Sequence, residues 1–335
     1  MKQDSITPTL DRQLVSVETI GSISPIEGAD MIVAAKIKGW TVVVNKNEFH
    51  SGDQCVYFEI DSMLPLRDER FAFLAPRGSK EIDGESYHRL KTARLKGVYS
   101  QGLALPVDQF DLSNLDKLGV FKYEPPALTQ SGDLLALYPD RLAKRTRSER
   151  VQNLADVWDQ IISLGTWVAT EKVDGTSMSV FKTPAGELLV CGHNYVIREG
   201  DNIYWNAVRD YHLDDLLDPG VGIQCELYGP GIQKNPLRMK THQIAIFAVI
   251  IDRVPTPRSQ WNEKFLALAA PVYDFQLPTS VELALDQVHK IQSLVSPGHS
   301  AEGVVWTLND ASYIEAANGY SMKAISASYL LKHGD

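Results

Sequence analysis

The chain has 335 residues, a formal net charge of -9, 44% hydrophobic residues and 22% charged residues. That balance is ordinary for globular protein, and the length suits two domains. No apolar run reaches the roughly 18 residues of a membrane helix, so no membrane partner is expected. The acidic balance excludes a protein that coats nucleic acid by bulk charge, but it leaves room for a local basic track.

The opening Met1-Lys2-Gln3-Asp4-Ser5 lacks the apolar core of a signal peptide. Residues 1–122 read as a small β-barrel of OB type. Val33, Ala35 and Ile37 alternate with Lys36 and Lys38, and Ser51-Gly52-Asp53 makes a turn before Cys55-Val56-Tyr57-Phe58. Within the barrel, His88-Arg89-Leu90-Lys91-Thr92-Ala93-Arg94-Leu95-Lys96-Gly97 is either the solvated face of one strand or a strip that meets phosphates. Cys55, Cys191 and Cys225 lie far apart among apolar residues, which predicts buried, reduced thiols and a cytoplasmic location.

Residues 123–145 read as a connector broken by Pro125-Pro126 and Tyr138-Pro139-Asp140. Thr146-Arg147-Ser148-Glu149 has capping-box spacing and predicts a helix start. Val151, Leu154, Val157, Trp158 and Ile161 would line that helix's buried face, and Gly165 would end it. Beside its first turn, Arg141, Lys144, Arg145, Arg147 and Arg150 form a basic cluster. It is either an exposed face or a contact for phosphate. The second domain, 146–335, mixes strands with helices near 259–270 and 280–294.

The most informative run is Thr170-Glu171-Lys172-Val173-Asp174-Gly175-Thr176-Ser177. On a strand, Lys172 and Asp174 would share a face. Gly175 would allow a tight turn or close approach. Five features follow in order: Cys191-Gly192-His193-Asn194; Glu226 in an apolar strand; Phe247 within the apolar run Ile244–Ile251; Glu302-Gly303; and Lys323. Each alone has a plain structural reading, such as a strand end, a core aromatic, a turn or a surface lysine.

Together, in this order, they resemble the sequential motifs of the covalent nucleotidyltransferases, a superfamily of ligases and capping enzymes. Only residues 324–335 follow Lys323, while a barrel precedes Lys172. That arrangement resembles the ATP-dependent RNA ligases with an N-terminal OB domain. The resemblance implies an α+β fold, in which an OB-like barrel precedes a nucleotidyltransferase domain of antiparallel sheets with flanking helices. It also implies a monomeric enzyme that seals 3′-hydroxyl and 5′-phosphate ends, as at an RNA nick in a duplex, through lysyl-AMP and RNA-adenylate.

The resemblance makes Lys172 the nucleophile, with Asp174 and Lys323 beside it in catalysis. Glu171, Val173, Arg150, His193, Arg198, Glu226, Phe247 and Lys323 would form the ATP pocket. Glu226 and Glu302 would hold Mg2+ or Mn2+. Where many relatives carry a ribose-contacting arginine, this chain has His193, with Arg198 five residues on. Where many end with two lysines one residue apart, only Lys323 is present. Alternatives are a DNA ligase, a capping enzyme, or a non-catalytic RNA-binding relative.

Overall fold

The computed structural model describes residues 13–124, 128 and 131–334. Pro125, Pro126 and the opening Met1–Ser5 lie outside that range. The chain divides into two compact units, 1–125 and 126–333.

The first unit is built from antiparallel β-structure. Its larger sheet has the order Leu103–Pro106, Gln54–Phe58, Val15–Pro25, Ile32–Ile37, Trp40–Asn45. Burial alternates strictly along Ile32–Ile37, with Val33, Ala35 and Ile37 inside, the three residues that the sequence sets against Lys36 and Lys38. An irregularity between Ile20 and Ser22 bends Val15–Pro25, which pairs with Gln54–Phe58 on one side and Ile32–Ile37 on the other. A second sheet joins Phe121–Lys122, Ser62–Pro65, Glu85–Arg89 and Lys80–Ile82. Trp40, Tyr57, Phe58 and Phe71 are fully or almost fully buried in the barrel's interior.

The basic strip at 88–97 is divided between Glu85–Arg89 and the hairpin Ala93–Leu95/Val98–Ser100, so it is not the face of one strand. Arg89 is committed to Asp61 at 2.8 Å and stacks over Tyr123 at 4.0 Å.

The second unit holds two sheets. The seven-stranded sheet has the order Leu134–Leu137, Tyr195–Ile197, Leu188–Cys191, Thr176–Lys182, Val221–Tyr228, Gln243–Ile251, Val254–Pro255. The stretch read as a connector therefore contributes an edge strand. Met178, Val180, Ile223 and Ile246 pack this sheet against the helix Ile203–Asp210, through Tyr204 and Ala207.

The four-stranded sheet has the order Ser148–Arg150, Ser321–Ile325, Gly303–Leu308, Trp167–Lys172. Trp306, Leu154, Ile161 and Ala284 form its core with Val151–Val157, Trp158–Ser163 and Val281–Val288.

Three helix expectations need correction. No helix starts at Thr146; Ser148–Arg150 is a strand running parallel to Ser321–Ile325. The predicted apolar face still packs inward, but first as a 3-10 helix, Val151–Val157, and then as the short α-helix Trp158–Ser163. The helix expected near 259–270 is only Glu263–Ala267 after a 3-10 turn, and that expected near 280–294 ends at Val288. All three cysteines are free and buried. Among the described residues, no helix is long and apolar enough to cross a membrane.

Candidate active site

The chain leaves the four-stranded sheet at Lys172 and enters the seven-stranded sheet at Thr176. The intervening residues 173–175 carry it from one to the other. Asp174 therefore lies past the strand end, and strand alternation does not orient it. A Cβ on Gly175 would sit 2.4 Å from the Leu227 carbonyl oxygen and 2.9 Å from Glu226 Cγ. Glycine is needed there for the close approach of the next strand, leaving the Glu226 side chain room to pass. Gly303 has the same role opposite Lys172, since its Cβ would fall 2.1 Å from the Ala324 carbonyl oxygen.

This crossing gathers the charged residues. Lys172 Nζ donates to Glu302 Oε2 at 2.7 Å, with both side chains largely withdrawn from solvent. Glu302 immediately precedes the strand Gly303–Leu308, which pairs with Lys172. Glu226, half-buried on Val221–Tyr228, lies opposite Ser177. Lys323 is the register partner of Val305 on one side and Arg150 on the other. Arg150 is almost wholly buried.

Three carboxylates thus bear on the Lys172 ammonium, and Lys323 also bears on Glu226. Burial, reinforced by Glu302 and Asp174, pushes Glu226 up to about 8 against the pull of Lys172 and Lys323. Burial and Glu302 push Asp174 up to about 7, opposed by a Tyr329 hydrogen bond and Lys172. Burial alone would lower the Lys172 pKa, but Glu302, Glu226 and Asp174 carry it above its ordinary value.

These shifts give a stability prediction. Between the ordinary carboxylate range and about pH 8, the folded chain holds protons on Asp174 and Glu226 that the unfolded chain has released. Stability therefore falls as pH rises through that window. The thermal midpoint in metal-free buffer is expected to drop between about pH 5 and about pH 8.5, and Glu226→Gln is expected to flatten the fall. An unchanged slope in that variant would remove Glu226 as its source.

The other sequence candidates divide into two groups. Val173 and Phe247 belong to one apolar cluster with Tyr228, Leu237, Ala245 and Ala270, beside the crossing. Glu171 is buried and accepts hydrogen bonds from Ser293 Oγ at 2.6 Å, Leu294 N at 2.6 Å and Val295 N at 3.1 Å. Burial pushes its pKa up against those bonds. Val295 also packs on the Val173–Phe247 cluster, so Glu171 holds one wall of that cluster in place.

His193 is half-buried in the turn between Leu188–Cys191 and Tyr195–Ile197. Arg198 is exposed and donates from Nε to the Gly132 carbonyl at 3.3 Å, at the edge of the sheet. In the basic cluster, Arg145 donates to Asn194 Oδ1 at 3.2 Å and Lys144 stacks over Tyr313 at 4.9 Å.

Sequence reasoning missed two tyrosines. Tyr204, on Ile203–Asp210, places its hydroxyl 3.3 Å from Thr176 Oγ1 beneath Gly192. Tyr329, on Ala327–His333, donates to Asp174 Oδ2 at 2.7 Å. Neither belongs to a motif with chemistry of its own. Only the apolar spacing of the flanking residues would have marked them as inward-facing.

Residues 14–107 match the family model of an OB-fold domain, and residues 165–325 match that of RNA ligase. Among solved structures, the chain is similar to Naegleria gruberi RNA ligase with PPi, at 31% identity and a TM-score of 0.85, over 97% of this chain and 100% of that one. A lysine-to-alanine variant of that enzyme with ATP and Mn matches at 31% identity and a TM-score of 0.84, over 96% and 99%. A glutamate-to-alanine variant with AMP and Mn matches at 31% identity and a TM-score of 0.85, over the same shares. No curated protein matches by sequence. With an OB-fold match at 14–107 followed in the chain by an RNA ligase match at 165–325, and likeness to one RNA ligase along nearly its whole length, the chain belongs to the RNA ligase family, in the branch whose OB domain precedes the ligase domain.

Proposed function

We propose that the protein is an ATP-dependent RNA ligase that seals 3′-hydroxyl and 5′-phosphate ends, above all nicks in duplexes whose 3′-hydroxyl strand is RNA. The observation that carries this reading is the Lys172 amine, bonded to Glu302 where the two sheets meet, with Asp174, Glu226 and Lys323 around it. Likeness to a ligase solved with ATP and Mn and with AMP and Mn supports ATP as co-substrate.

In the first step, Lys172 Nζ forms a bond to the α-phosphorus of ATP as the bond to the β-phosphate oxygen breaks and pyrophosphate leaves. The amine must lose its proton first, because its pKa lies above the ordinary value. Glu302 Oε2 already accepts the Nζ–H bond and can receive that proton. The AMP then passes to an RNA 5′-phosphate, freeing Lys172. Finally the RNA 3′-hydroxyl attacks that phosphate and AMP departs. Phe247 and Val173 would flank the adenine, with Glu171 fixing the wall behind them. His193 would lie toward the ribose; Arg198 is turned toward Gly132, so we assign it a lesser part. Lys323 and Arg150 would meet the phosphates.

A divalent cation suits this donor set. The carboxylates of Glu226 and Glu302, with Asp174 nearby, offer hard oxygen ligands that favour Mg2+ or Mn2+, and a bound dication would replace the protons that burial keeps on Glu226 and Asp174. Among the described residues, no three His, Cys, Asp or Glu side chains converge to ligate one ion directly. The arrangement therefore fits an ion that keeps much of its water shell. When bound, such an ion would offset charge on the α-phosphate and on the carboxylates that hold Lys172 protonated.

We assign the OB unit to the duplex beside the nick and the enzyme to action as a monomer. Three free thiols fit a reducing compartment such as the cytoplasm. The test is a panel of nicked duplexes with RNA or DNA on each side of the break, supplied with ATP or GTP. Sealing is expected with ATP wherever RNA provides the 3′-hydroxyl. Equal sealing of all-DNA nicks would refute the RNA specificity, and equal use of GTP would refute the adenine assignment.

A further inference from the structure

Asp174 has an unusual position for a residue so central to the charge cluster. It lies between two strands, outside any ladder, so no sheet register sets the direction of its side chain. Its backbone is fixed by its neighbours: Val173 is buried in an apolar cluster, and Gly175 presses on Leu227 and Tyr228. Its carboxylate meets a group from a distant part of the chain. Tyr329, only 5% exposed, donates its hydroxyl to Asp174 Oδ2 at 2.7 Å.

The helix that carries Tyr329 is anchored to the same centre. Ser326 N donates to the Glu302 carbonyl at 2.9 Å, and Ser326 Oγ accepts from Tyr329 N at 3.4 Å while Leu330 N reaches the Ser326 carbonyl at 3.0 Å. The Tyr329 ring lies 4.5 Å from the His333 ring, which supports its outer side. One turn of helix thus touches both flanks of Lys172: the backbone of Glu302 and the side chain of Asp174.

We propose that Tyr329 is a positioning residue for lysyl-AMP formation, its phenol holding the Asp174 carboxylate toward Lys172 and Glu302. The inference rests on the ligase reading above, because it assigns Asp174 a part in the first step. Without the phenol, Asp174 keeps its backbone place but loses the bond that selects its rotamer. A hydrogen bond to a charged group is a strong one, and its loss is expected to slow lysyl-AMP formation by about 10- to 100-fold. ATP binding, which Tyr329 does not touch in this assignment, is expected to change by less than about twofold.

The experiment measures single-turnover formation of the AMP adduct, by intact mass, for the wild type, Tyr329→Phe, Asp174→Ala and the double variant. Phenylalanine keeps the ring and its packing on His333, so thermal unfolding is expected to stay close to that of the wild type. The maximal rate of Tyr329→Phe should fall with little change in the ATP concentration at half-maximal rate. In the Asp174→Ala background, adding Tyr329→Phe should cost less than about twofold more, since the two act as one unit. A full multiplicative loss in the double variant, or a wild-type rate in Tyr329→Phe, would overturn the inference while leaving the ligase reading intact. A wild-type protein that forms no adduct would overturn both.

Discussion

Lys172→Ala is expected to form no covalent AMP adduct, with the rate of sealing from ATP reduced by roughly 10⁴-fold or more. No other described lysine holds the same place. Lys323 lies two strands away in the same sheet, across Gly303–Leu308. The substitution also removes the ammonium hydrogen-bonded to Glu302, so Asp174, Glu226 and Glu302 repel one another more strongly. A loss of stability is therefore expected at about pH 8 and much less at about pH 6, where the raised carboxyls take up protons. Lys172→Arg separates the two effects. Its guanidinium restores the charge but cannot be deprotonated at usable pH, so it should recover stability and not the adduct. Intact mass after exposure to ATP and a divalent cation reads the adduct directly. A labelled Lys172→Ala protein would remove Lys172 as nucleophile.

The second large effect concerns Glu302. Glu302→Gln keeps the shape of the side chain and removes its charge. Two consequences oppose each other. The Lys172 amine loses the partner that most strongly holds it protonated, which eases deprotonation at neutral pH even though the acceptor for its proton is lost too. The oxygen set assigned to the divalent cation loses a charged member, which slows every step that needs the cation. We expect the second to win, with sealing down by about 10²-fold or more at saturating ATP. Adduct formation measured against pH and against Mn2+ concentration discriminates them. A variant as fast as the wild type, or faster, would mean that Glu302 acts only on the lysine and not on the metal.

The charged residues were legible in the sequence because each lies on or beside a strand with its own apolar signature. Lys172 ends one strand, Glu226 interrupts a buried one, Glu302 precedes Gly303–Leu308, and Lys323 lies within the strand paired to it. Their order in the chain, more than any single motif, predicted that they would meet. The barrel was legible from Val33, Ala35 and Ile37 set against Lys36 and Lys38 and from short strands between Gly and Asp turns, whereas Val42-Val43-Val44 carries no alternation of its own.

Other features depended on tertiary pairing that no local pattern encodes. Ser148–Arg150 is three residues long and pairs with a segment 173 residues away, so its capping-box spacing pointed to a helix. The reason for Gly175 lay in the neighbouring strand, not in its own turn. Tyr329 looked like any apolar-facing aromatic because the partner that gives it meaning, Asp174, is 155 residues earlier.

The parallel pairing of Ser148–Arg150 with Ser321–Ile325 bears on how the protein is made. The later strand sits between the earlier one and Gly303–Leu308, so the sheet that ends at Lys172 stays open until the ribosome has released residues beyond 325. A nascent chain stalled before that point would carry Lys172 without the strand that completes its sheet and without Tyr329, the partner of Asp174.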